Sequence, residues 1–337
     1  MSGSTRVAIV GAGLWGQQHA RVFSARPDVD VVAVVGRTRG RAEARAAELG
    51  TRAYTDIDEM LDREHPDLVS VCLPNEEHFA TTLQLVRAGV ALLVEKPLVF
   101  DLAEADALLG DAEARGLFFA INFNHRYAKP VQLAASALSH GELGPLTFAT
   151  WRFGGERGPG SHPYRNLIET QCHGFDMLEY LCGPIGSVMG QTTDDVGQGR
   201  SAIAIALRFT SGAVGTMVGS YDSSYAYPRA HAMELNGAAG RILVDDTVLR
   251  YTQSRVGSET STVWQAGYFN DLDREFHHTF DQHVDALLAA FRAGREPPVP
   301  ARAGRRALEL ALATIRSVET GQRIVTAHAP STENSGA

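Results

Sequence analysis

The segment that most constrains the fold is the glycine-rich run after the first apolar stretch of the chain. Residues 6–10 read Arg-Val-Ala-Ile-Val, an apolar run typical of a strand that is buried on both faces. Gly11, Gly13 and Gly16 follow with the spacing Gly-x-Gly-x-x-Gly, and a helical pattern covers residues 17–25. A second strand pattern returns at residues 29–35. Strand, loop and helix in this order predict a dinucleotide-binding βαβ unit.

Each position of this loop has a physical role in the predicted site. Gly11 permits the tight turn, Gly13 leaves room for a pyrophosphate to approach the backbone, and Gly16 lets the helix lie close to the strand. Leu14 and Trp15 fill the remaining positions, and the helix N-terminus offers N–H groups to the phosphates. We therefore predict that these five residues contact the cofactor. The alternative reading is a tight βα turn without a ligand.

The end of the second predicted strand bears on the choice of cofactor. An NAD-binding unit usually carries an acid about 20 residues after the last glycine, where it accepts from the ribose 2′-hydroxyl. Here that position is Gly36, so no carboxylate repels a 2′-phosphate, and Arg37, Thr38 and Arg39 can donate to one. The sequence favours NADP(H), and NAD(H) remains possible. In the alternative, both arginines are solvated at the start of the next helix and Arg37 stacks on the adenine.

Composition limits the remaining classes of protein. A chain of 337 residues with 44% hydrophobic and 21% charged residues predicts a globular protein of two domains. Its formal net charge of −8 argues against nucleic acid or an anionic membrane as the main partner. No apolar run approaches the roughly 18 residues that span a bilayer, and the first strand begins too early for a signal peptide. The three cysteines have no metal-like spacing, and we expect buried free thiols in a cytoplasmic protein.

Polar residues follow two further predicted strands, at residues 67–74 and 91–94, at the sheet edge where open α/β sheets bind ligands. The second of these strands runs into Glu-Lys-Pro, which places Lys96 at the edge of the crevice, beside an X–Pro bond that can adopt the cis form. By itself such a lysine is also typical of a surface charge. The residues assigned to the cofactor site from these strand ends and from the end of the strand at residues 117–123 are Leu73, Pro74, Asn75, His78, Glu95, Lys96, Pro97 and Asn124.

The second half of the chain changes character. Strand-like runs at residues 146–153, 201–209, 213–221, 230–235 and 241–244 follow one another without predicted crossover helices between them, which indicates a largely antiparallel sheet. Within residues 202–209, large apolar residues alternate with alanines and an arginine. One face of this sheet is therefore predicted to pack against helices, while its other face is built of small residues and can pack against another subunit.

The glycine loop, Pro74-Asn75 with His78, Glu-Lys-Pro at 95–97 and Asn-His-Arg-Tyr at 124–127 resemble the motifs of the Gfo/Idh/MocA oxidoreductases. The resemblance follows the family's order and spacing over nearly the whole chain. It implies a Rossmann domain at residues 1–124 and an α+β domain at residues 125–325 with a large, mostly antiparallel open sheet. A flexible tail is expected at residues 326–337. The resemblance also implies a homodimer or homotetramer that assembles through the sheet.

Residues 169–176, Glu-Thr-Gln-Cys-His-Gly-Phe-Asp, carry the predicted catalytic groups. On a helix Glu169 and His173 are four apart and His173 and Asp176 three apart, so all three can share one face, as a purely structural pair also would. The resemblance implies that these three residues act over the nicotinamide together with Lys96. The family usually has aspartate in place of Glu169, and many members have glycine in place of Gln171, which implies altered substrate contacts.

The residue types fit the oxidation of a secondary alcohol. His173 is expected to exchange the hydroxyl proton, and the Lys96 ammonium to stabilise charge on the oxygen. Glu169 and Asp176 would accept from neighbouring hydroxyl groups, so a sugar or polyol fits better than an apolar alcohol. Further candidates for the substrate pocket, each with a structural role as its alternative, are Asn124, Arg126, Tyr127, Arg152, Tyr164, Arg165 and Gln171.

The histidines of the predicted helix at residues 271–292 raise the question of a metal site. His277 and Asp281 are four apart, but an apolar stripe from Phe276 to Phe291 explains the helix as a packed element with its histidines on the wetter sides, and no metal is predicted. The sequence thus predicts an NAD(P)-dependent dehydrogenase or ketoreductase acting on a sugar, glycoside or cyclitol. Two alternatives stay open: a redox-assisted glycosidase or epimerase that retains its cofactor, and a nucleotide-sensing protein without turnover.

Overall fold

The computed structural model describes residues 4–74, 78–156, 162–193, 201–267 and 271–326. The chain divides into two compact units, the first comprising Met1–Ala128 with Leu272–Leu308 and the second Lys129–Asp271 with Glu309–Ala337. Within the described ranges, no helix combines the length and apolar character needed to cross a bilayer.

The described part of the first unit contains a six-stranded parallel sheet with the strand order β3-β2-β1-β4-β5-β6. Its strands are β1 Thr5–Val10, β2 Val29–Val35, β3 Arg52–Tyr54, β4 Leu68–Val71, β5 Ala91–Val94 and β6 Phe119–Ile121. Its helices are α1 Leu14–Ser24, α2 Arg39–Leu49, α3 Ile57–Glu64, α4 His78–Ala88, α5 Leu102–Ala114 and α8 His278–Arg292. This is the predicted Rossmann fold, in which ligands bind where the strand order reverses beside β1.

An apolar cluster of described residues packs on one face of this sheet. Val7 and Ile9 of β1 and Leu93 of β5 are fully buried there, against Phe23 of α1 and Phe280 of α8. Because side chains alternate across a strand, residues 95 and 122, two positions beyond Leu93 and Ala120, point to the same face. That alternation brings polar side chains at the strand ends under α1 and α8.

The described part of the second unit contains a nine-stranded sheet with the order β14-β13-β12-β11-β7-β10-β9-β8-β15. The strands are β7 Leu146–Gly154, β8 Ile185–Thr192, β9 Ala202–Phe209, β10 Val214–Ser220, β11 His231–Gly237, β12 Gly240–Asp245, β13 Arg250–Arg255, β14 Ser261–Gln265 and β15 Ile324–Val325. The helices are α6 Lys129–Ser139 and α7 Cys172–Cys182, and the division between the units falls within α9 Arg302–Thr320. The predicted α+β domain with a mostly antiparallel sheet is confirmed.

Two features of this sheet differ from the sequence prediction. A helix, α7, does lie between β7 and β8, and β7 pairs in parallel with β10, so the prediction of strands without crossover helices was wrong. The strands β8, β13 and β14 were not predicted, because serine, threonine, glycine and arginine interrupt their apolar alternation. The strand β15 was not predicted either, because two residues carry no periodic signal. The alternation of β9 is as predicted: Ile203, Ile205, Leu207 and Phe209 are buried and the positions between them are not.

The helix predicted at residues 271–292 is interrupted near its start. A 3₁₀ turn covers Asp271–Arg274, and α8 begins only at His278. The prediction that its histidines lie on the wetter sides was wrong for His283, which is fully buried. The reason is that its neutral ring has a buried hydrogen-bond partner, as described below.

Candidate active site

The glycine loop is built as predicted at Gly11 and Gly16. Gly11 has φ +126°, and a Cβ there would lie 2.3 Å from the carbonyl oxygen of Cys72. A Cβ on Gly16 would lie 1.8 Å from the carbonyl oxygen of Gly11, so the helix approaches the turn too closely for any other residue. Both contacts are with backbone atoms, which cannot move aside without displacing the loop.

Gly13 differs, because a Cβ built there meets no atom of the described residues within 4 Å. Gly13 is also the N-cap of α1, and its lack of a side chain leaves the N–H groups of the first turn without a side-chain cap at that position in the described structure. Open space beside uncapped N–H groups suits a pyrophosphate. The loop therefore fits the predicted dinucleotide.

Two large apolar side chains border this loop. Leu14 is 84% exposed and Trp15 is 45% exposed. The indole of Trp15 stacks on Phe280 of α8, with ring centroids 5.7 Å apart. An apolar surface at this position is compatible with contact to a bound cofactor.

At the end of β2, Gly36 packs closely against two alanines. A Cβ on Gly36 would lie 3.1 Å from the Ala12 Cβ and 3.3 Å from the Ala42 Cβ. The three residues that follow, Arg37, Thr38 and Arg39, are exposed, and Thr38 makes no side-chain cap to α2 within the described part of the chain. A side chain at position 36 would therefore require these two alanines to shift by a few tenths of an ångström.

Lys96 lies half-buried at the carboxyl end of β5, and its peptide bond to Pro97 is cis. Its backbone N–H donates to Oε2 of Glu95 over 3.1 Å. On its other side, the carbonyl oxygen of Pro97 lies 3.0 Å from Nδ1 of His78, whose Nε2 lies 2.8 Å from the carbonyl oxygen of Leu73. Burial lowers the pKa of His78, and a neutral ring can donate to one of these two oxygens. The lysine is held by its neighbours on both sides.

Behind Lys96 a chain of buried hydrogen bonds crosses the sheet end. Nε2 of His19 lies 2.8 Å from Oε1 of Glu95, and Nδ1 of the same ring lies 2.8 Å from Oγ of Ser70. Asn122 donates through Nδ2 to Oε1 of Glu95 over 2.7 Å. The Asn122 amide oxygen lies 2.8 Å from Nδ1 of His283. All five side chains are buried.

The pKa values of two residues in this hydrogen-bond network, His19 and Glu95, are strongly shifted. Burial disfavours the charged form of Glu95, yet its contacts with His19, Lys96 and Asn122 lower its pKa to about 2. Burial likewise opposes a charged His19, but the Cys72 sulfur and the Glu95 carboxylate outweigh it and raise the pKa of His19 to about 10. His19 and Glu95 therefore form a buried ion pair near neutral pH.

Sequence reasoning placed Glu95 in the site but missed His19, Asn122 and His283. The parallel ladder continues past the strand ends, because Glu95 N–H donates to Val71 and Asn122 N–H donates to Val94. That register sets residues 95 and 122 side by side. The usable signal was a polar residue directly after each of two buried strands, but the pairing depends on knowing which strands are neighbours.

In the second unit, Arg165 and Glu169 form a largely buried ion pair, with Nε and Oε2 2.9 Å apart. Glu169 lies in a π-helical turn, Asn166–Thr170, that ends just before α7. The regular helical spacing assumed between Glu169 and His173 therefore does not hold across this turn. Extra-wide turns of this kind are frequent at functional sites. His173 and Asp176 both lie in α7 and are buried.

The remaining predicted pocket residues of the second unit are mixed in exposure. Gln171 is buried below β10, where its Nε2 lies 3.1 Å from Oδ1 of Asn166 and 3.3 Å from the carbonyl oxygen of Phe153. Tyr164 is buried, whereas Arg152 is exposed and donates to the carbonyl oxygen of Arg229. The Gln171 amide nitrogen thus donates hydrogen bonds to residues of the same unit.

The last predicted residues belong to the first unit. Asn124 is buried and donates to Oγ1 of Thr279 over 2.7 Å, and the ring of Tyr127 stacks on His283 with centroids 4.7 Å apart. Arg126 is half-buried. Asn75 lies outside the described residues. Among the described residues no group of three or more histidine, cysteine, aspartate or glutamate side chains is arranged to hold a metal ion, and Cys72, Cys172 and Cys182 are buried free thiols.

Comparison with known protein families matches both halves of the chain to one family. Residues 5–123 match the family described as "Oxidoreductase family, NAD-binding Rossmann fold", GFO_IDH_MocA. Residues 130–326 match the companion "Oxidoreductase family, C-terminal alpha/beta domain". Together the two matches cover nearly the whole chain.

Among individual proteins, the chain is 24% identical over 331 residues to myo-inositol 2-dehydrogenase of Thermotoga maritima, covering 93% of this chain and 96% of that protein. It is 31% identical over 213 residues to D-glucoside 3-dehydrogenase of Escherichia coli, covering 59% of this chain and 61% of that protein. The solved structure of levoglucosan dehydrogenase with NADH and levoglucosan superposes with a TM-score of 0.87 at 16% identity, covering 96% of this chain and all of that one (100%). This chain belongs to the Gfo/Idh/MocA family of oxidoreductases.

Proposed function

We propose that this protein is an NADP(H)-preferring dehydrogenase or ketoreductase that transfers a hydride between nicotinamide C4 and a secondary hydroxyl or ketone of a sugar, glycoside or cyclitol. The relatives that span the chain or share its fold include inositol and levoglucosan dehydrogenases, and a shorter match is to a glucoside dehydrogenase. These names support a hydroxylated ring as the substrate class.

The observation that carries the proposal is the placement of Lys96. It stands at the carboxyl end of β5, on the same edge of the parallel sheet as the glycine loop that follows β1. Dinucleotides bind at this edge in doubly wound sheets. The backbone on either side of this lysine is held by the Glu95 carboxylate and by the contact of His78 with the Pro97 carbonyl oxygen. The ammonium that it carries can stabilise negative charge that develops on a substrate oxygen.

The remaining roles follow from residue chemistry. In the oxidation, His173 accepts the hydroxyl proton, Lys96 stabilises the alkoxide oxygen, and the hydride leaves the carbinol carbon to give a ketone. The bound nicotinamide supplies the hydride acceptor, or the donor in the reverse direction. Asp176 and Glu169 orient neighbouring hydroxyl groups, and the ion pair with Arg165 fixes the direction of the Glu169 carboxylate.

Preference for NADP(H) is supported by the end of β2. Residue 36 is glycine, so no carboxylate stands there to bind a ribose 2′-hydroxyl and repel a phosphate. Arg37, Thr38 and Arg39 are exposed beside it and can donate to a 2′-phosphate. NAD(H) fits the same loop without these contacts and is the weaker-binding alternative.

We also propose that the protein assembles as a homodimer or homotetramer through the sheet of the second unit. Val214 and Val218 on the outer face of β10 are 49% and 44% exposed. In the neighbouring strand β9, Val218 faces Ala204 and Val214 faces Arg208. A sheet face built mostly of small and apolar residues is suited to a self-complementary contact. Light scattering at micromolar concentration would report the mass, and a monomer at that concentration would overturn this assembly.

The test of the activity is a spectrophotometric panel of sugars, glycosides and cyclitols, run with NAD⁺ and NADP⁺ in parallel. We expect at least one substrate to give reduced nucleotide and ketone in equal amounts, and NADP⁺ to be preferred. Product without accumulation of reduced nucleotide would indicate an enzyme that recycles its cofactor instead. Nucleotide binding without turnover on any substrate would indicate a nucleotide sensor.

A further inference from the structure

Lysine is rare in this chain, which has 29 arginines and 2 lysines, Lys96 and Lys129. Lys129 is exposed at the start of α6, whereas Lys96 is half-buried at the end of β5. A lysine ammonium is a compact charge on four flexible methylene groups, so its position depends on how firmly its backbone is held. The surroundings of the Lys96 backbone therefore matter for any role of its ammonium.

The backbone of Lys96 is tied to a side chain that cannot move freely. Its N–H donates to Oε2 of Glu95, while the other oxygen of the same carboxylate accepts from Asn122 at 2.7 Å and lies 2.8 Å from Nε2 of His19. Glu95 is 5% exposed, so water does not compete for these contacts. Both carboxylate oxygens are thus occupied by protein donors from α1, the end of β6 and the lysine itself.

The partners of Glu95 are in turn fixed by the sheet. Asn122 is placed by its backbone hydrogen bond to Val94, and its amide oxygen is held by His283 of α8. His19 is held through its second ring nitrogen by Ser70 of β4. The carboxylate is therefore anchored to β4, β6, α1 and α8 at once.

We propose that Glu95, fixed by His19 and Asn122, is a positioning residue that sets the place of the Lys96 ammonium through the Lys96 backbone N–H. The inference rests on the proposed function of Lys96. It adds three residues, His19, Glu95 and Asn122, that act on the reaction through Lys96.

Stability alone is a poor reason for a buried ion pair at this place. Replacing such a pair by apolar residues of similar volume is often neutral or stabilising, since both charges must be stripped of water. The need for a rigid support under the Lys96 backbone does explain the buried ion pair. Misplacing a reacting group by about 1 Å can cost on the order of a hundredfold in rate.

The decisive experiment is a double-mutant cycle on the rate of hydride transfer, measured in single turnovers, with Glu95→Gln, Lys96→Met and the double variant. Glu95→Gln keeps the size of the side chain but removes the charge. If Glu95 acts through Lys96, Glu95→Gln lowers the rate at least about tenfold in the wild-type background and less than about twofold in the Lys96→Met background. Equal losses in both backgrounds would overturn the positioning role, because a general structural effect does not depend on Lys96.

The matched control is Glu64→Gln. Glu64 is a second buried carboxylate of the first unit, with Arg52 2.9 Å away and the Tyr54 hydroxyl as a further partner. This variant is expected to lower the unfolding midpoint, while its hydride-transfer rate stays within about twofold of wild type. A rate loss equal to that of Glu95→Gln would show that any buried carboxylate has this effect and would overturn the proposal.

A second readout does not require activity. With two lysines in the chain, peptide mass spectrometry after brief succinimidyl-ester labelling reports Lys96 relative to Lys129 in one sample. In Glu95→Gln, weakening of the contact between the Lys96 N–H and residue 95 should raise the labelling of Lys96 relative to Lys129 at least about threefold. In Glu64→Gln this ratio should stay unchanged. An unchanged labelling ratio in Glu95→Gln would overturn the positioning role of Glu95. A raised ratio in Glu95→Gln, together with full activity of Lys96→Met, would instead overturn the proposed function of Lys96.

Discussion

His19 and His283 belong to one buried network of hydrogen bonds, and their pKa values are displaced in opposite directions. The network runs from His19 to Glu95, from Glu95 to Asn122 and from Asn122 to His283. The pKa of His19 is raised to about 10, whereas burial, with the nearby charges of His19 and Arg126, lowers the pKa of His283 to about 3. One network thus holds one charged and one neutral imidazole.

The raised pKa of His19 predicts a loss of stability at alkaline pH. Between its unfolded pKa of 6.5 and its folded value of about 10, the folded protein keeps a proton that the unfolded chain releases. The free energy of unfolding should therefore fall as pH rises from 7 to 9.5, with a contribution of up to about 1.4 kcal/mol per pH unit. Urea unfolding of wild type and His19→Gln checks this, and a variant with the same alkaline slope as wild type would contradict it.

The lowered pKa of His283 predicts the opposite slope on the acid side. Below 6.5 the unfolded chain binds a proton at this residue that the folded protein does not bind until pH falls to about 3. Stability should fall as pH drops from 6.5 to 5, a range above the usual pKa values of carboxylates. In His283→Gln, the unfolding free energy should depend less on pH between 6.5 and 5, and urea unfolding measures this as well. If the variant lost stability between pH 6.5 and 5 as steeply as wild type, another group would be responsible.

Two glycines of the loop predict different outcomes for the same substitution. Gly13→Ala should leave the unfolding free energy within about 1 kcal/mol, because the added methyl group meets open space at an N-cap position. It should nevertheless weaken nucleotide binding at least about tenfold by occupying the space of the pyrophosphate. Gly16→Ala should lose both stability and binding, since its Cβ would clash with the Gly11 carbonyl oxygen. Calorimetry measures both quantities, and tight binding by Gly13→Ala would contradict the assigned pyrophosphate site.

Cofactor choice can be tested at the start of α2. Arg37→Ala with Arg39→Ala should weaken NADP⁺ binding at least about tenfold, since charge-assisted hydrogen bonds contribute about 1.5–3 kcal/mol each. NAD⁺ binding should change less than about threefold, because it lacks the 2′-phosphate. Arg41→Ala, an exposed arginine farther along the helix, is the control for net charge. Equal effects on both nucleotides would place these arginines elsewhere than at the 2′-phosphate.

Much of the first unit could be read from its sequence, because apolar runs and glycines mark its elements. The ranges predicted for β2 and β5, residues 29–35 and 91–94, are those observed. β3 was missed, since three residues carry too little periodicity.

The candidate site was less accessible to sequence reasoning. Glu95 and Lys96 were found because they form a local motif, but His19, Asn122 and His283 come from distant segments that meet only through sheet register and the packing of α8. The π-helical turn at Glu169 also leaves no periodic signal, since one added residue in a turn does not alter composition. The boundary between domains at residues 124 and 125 stays a prediction, as do the roles of His173, Glu169 and Asp176.

The central claim is that this protein performs hydride transfer with His173 as its acid/base group, and its most direct test is the single-turnover rate of His173→Ala on a substrate identified in the panel. The account predicts a loss of roughly a hundredfold at neutral pH, with nucleotide affinity retained. A rate within about threefold of wild type would contradict the assignment, because it lies well below the effect of removing a general acid/base.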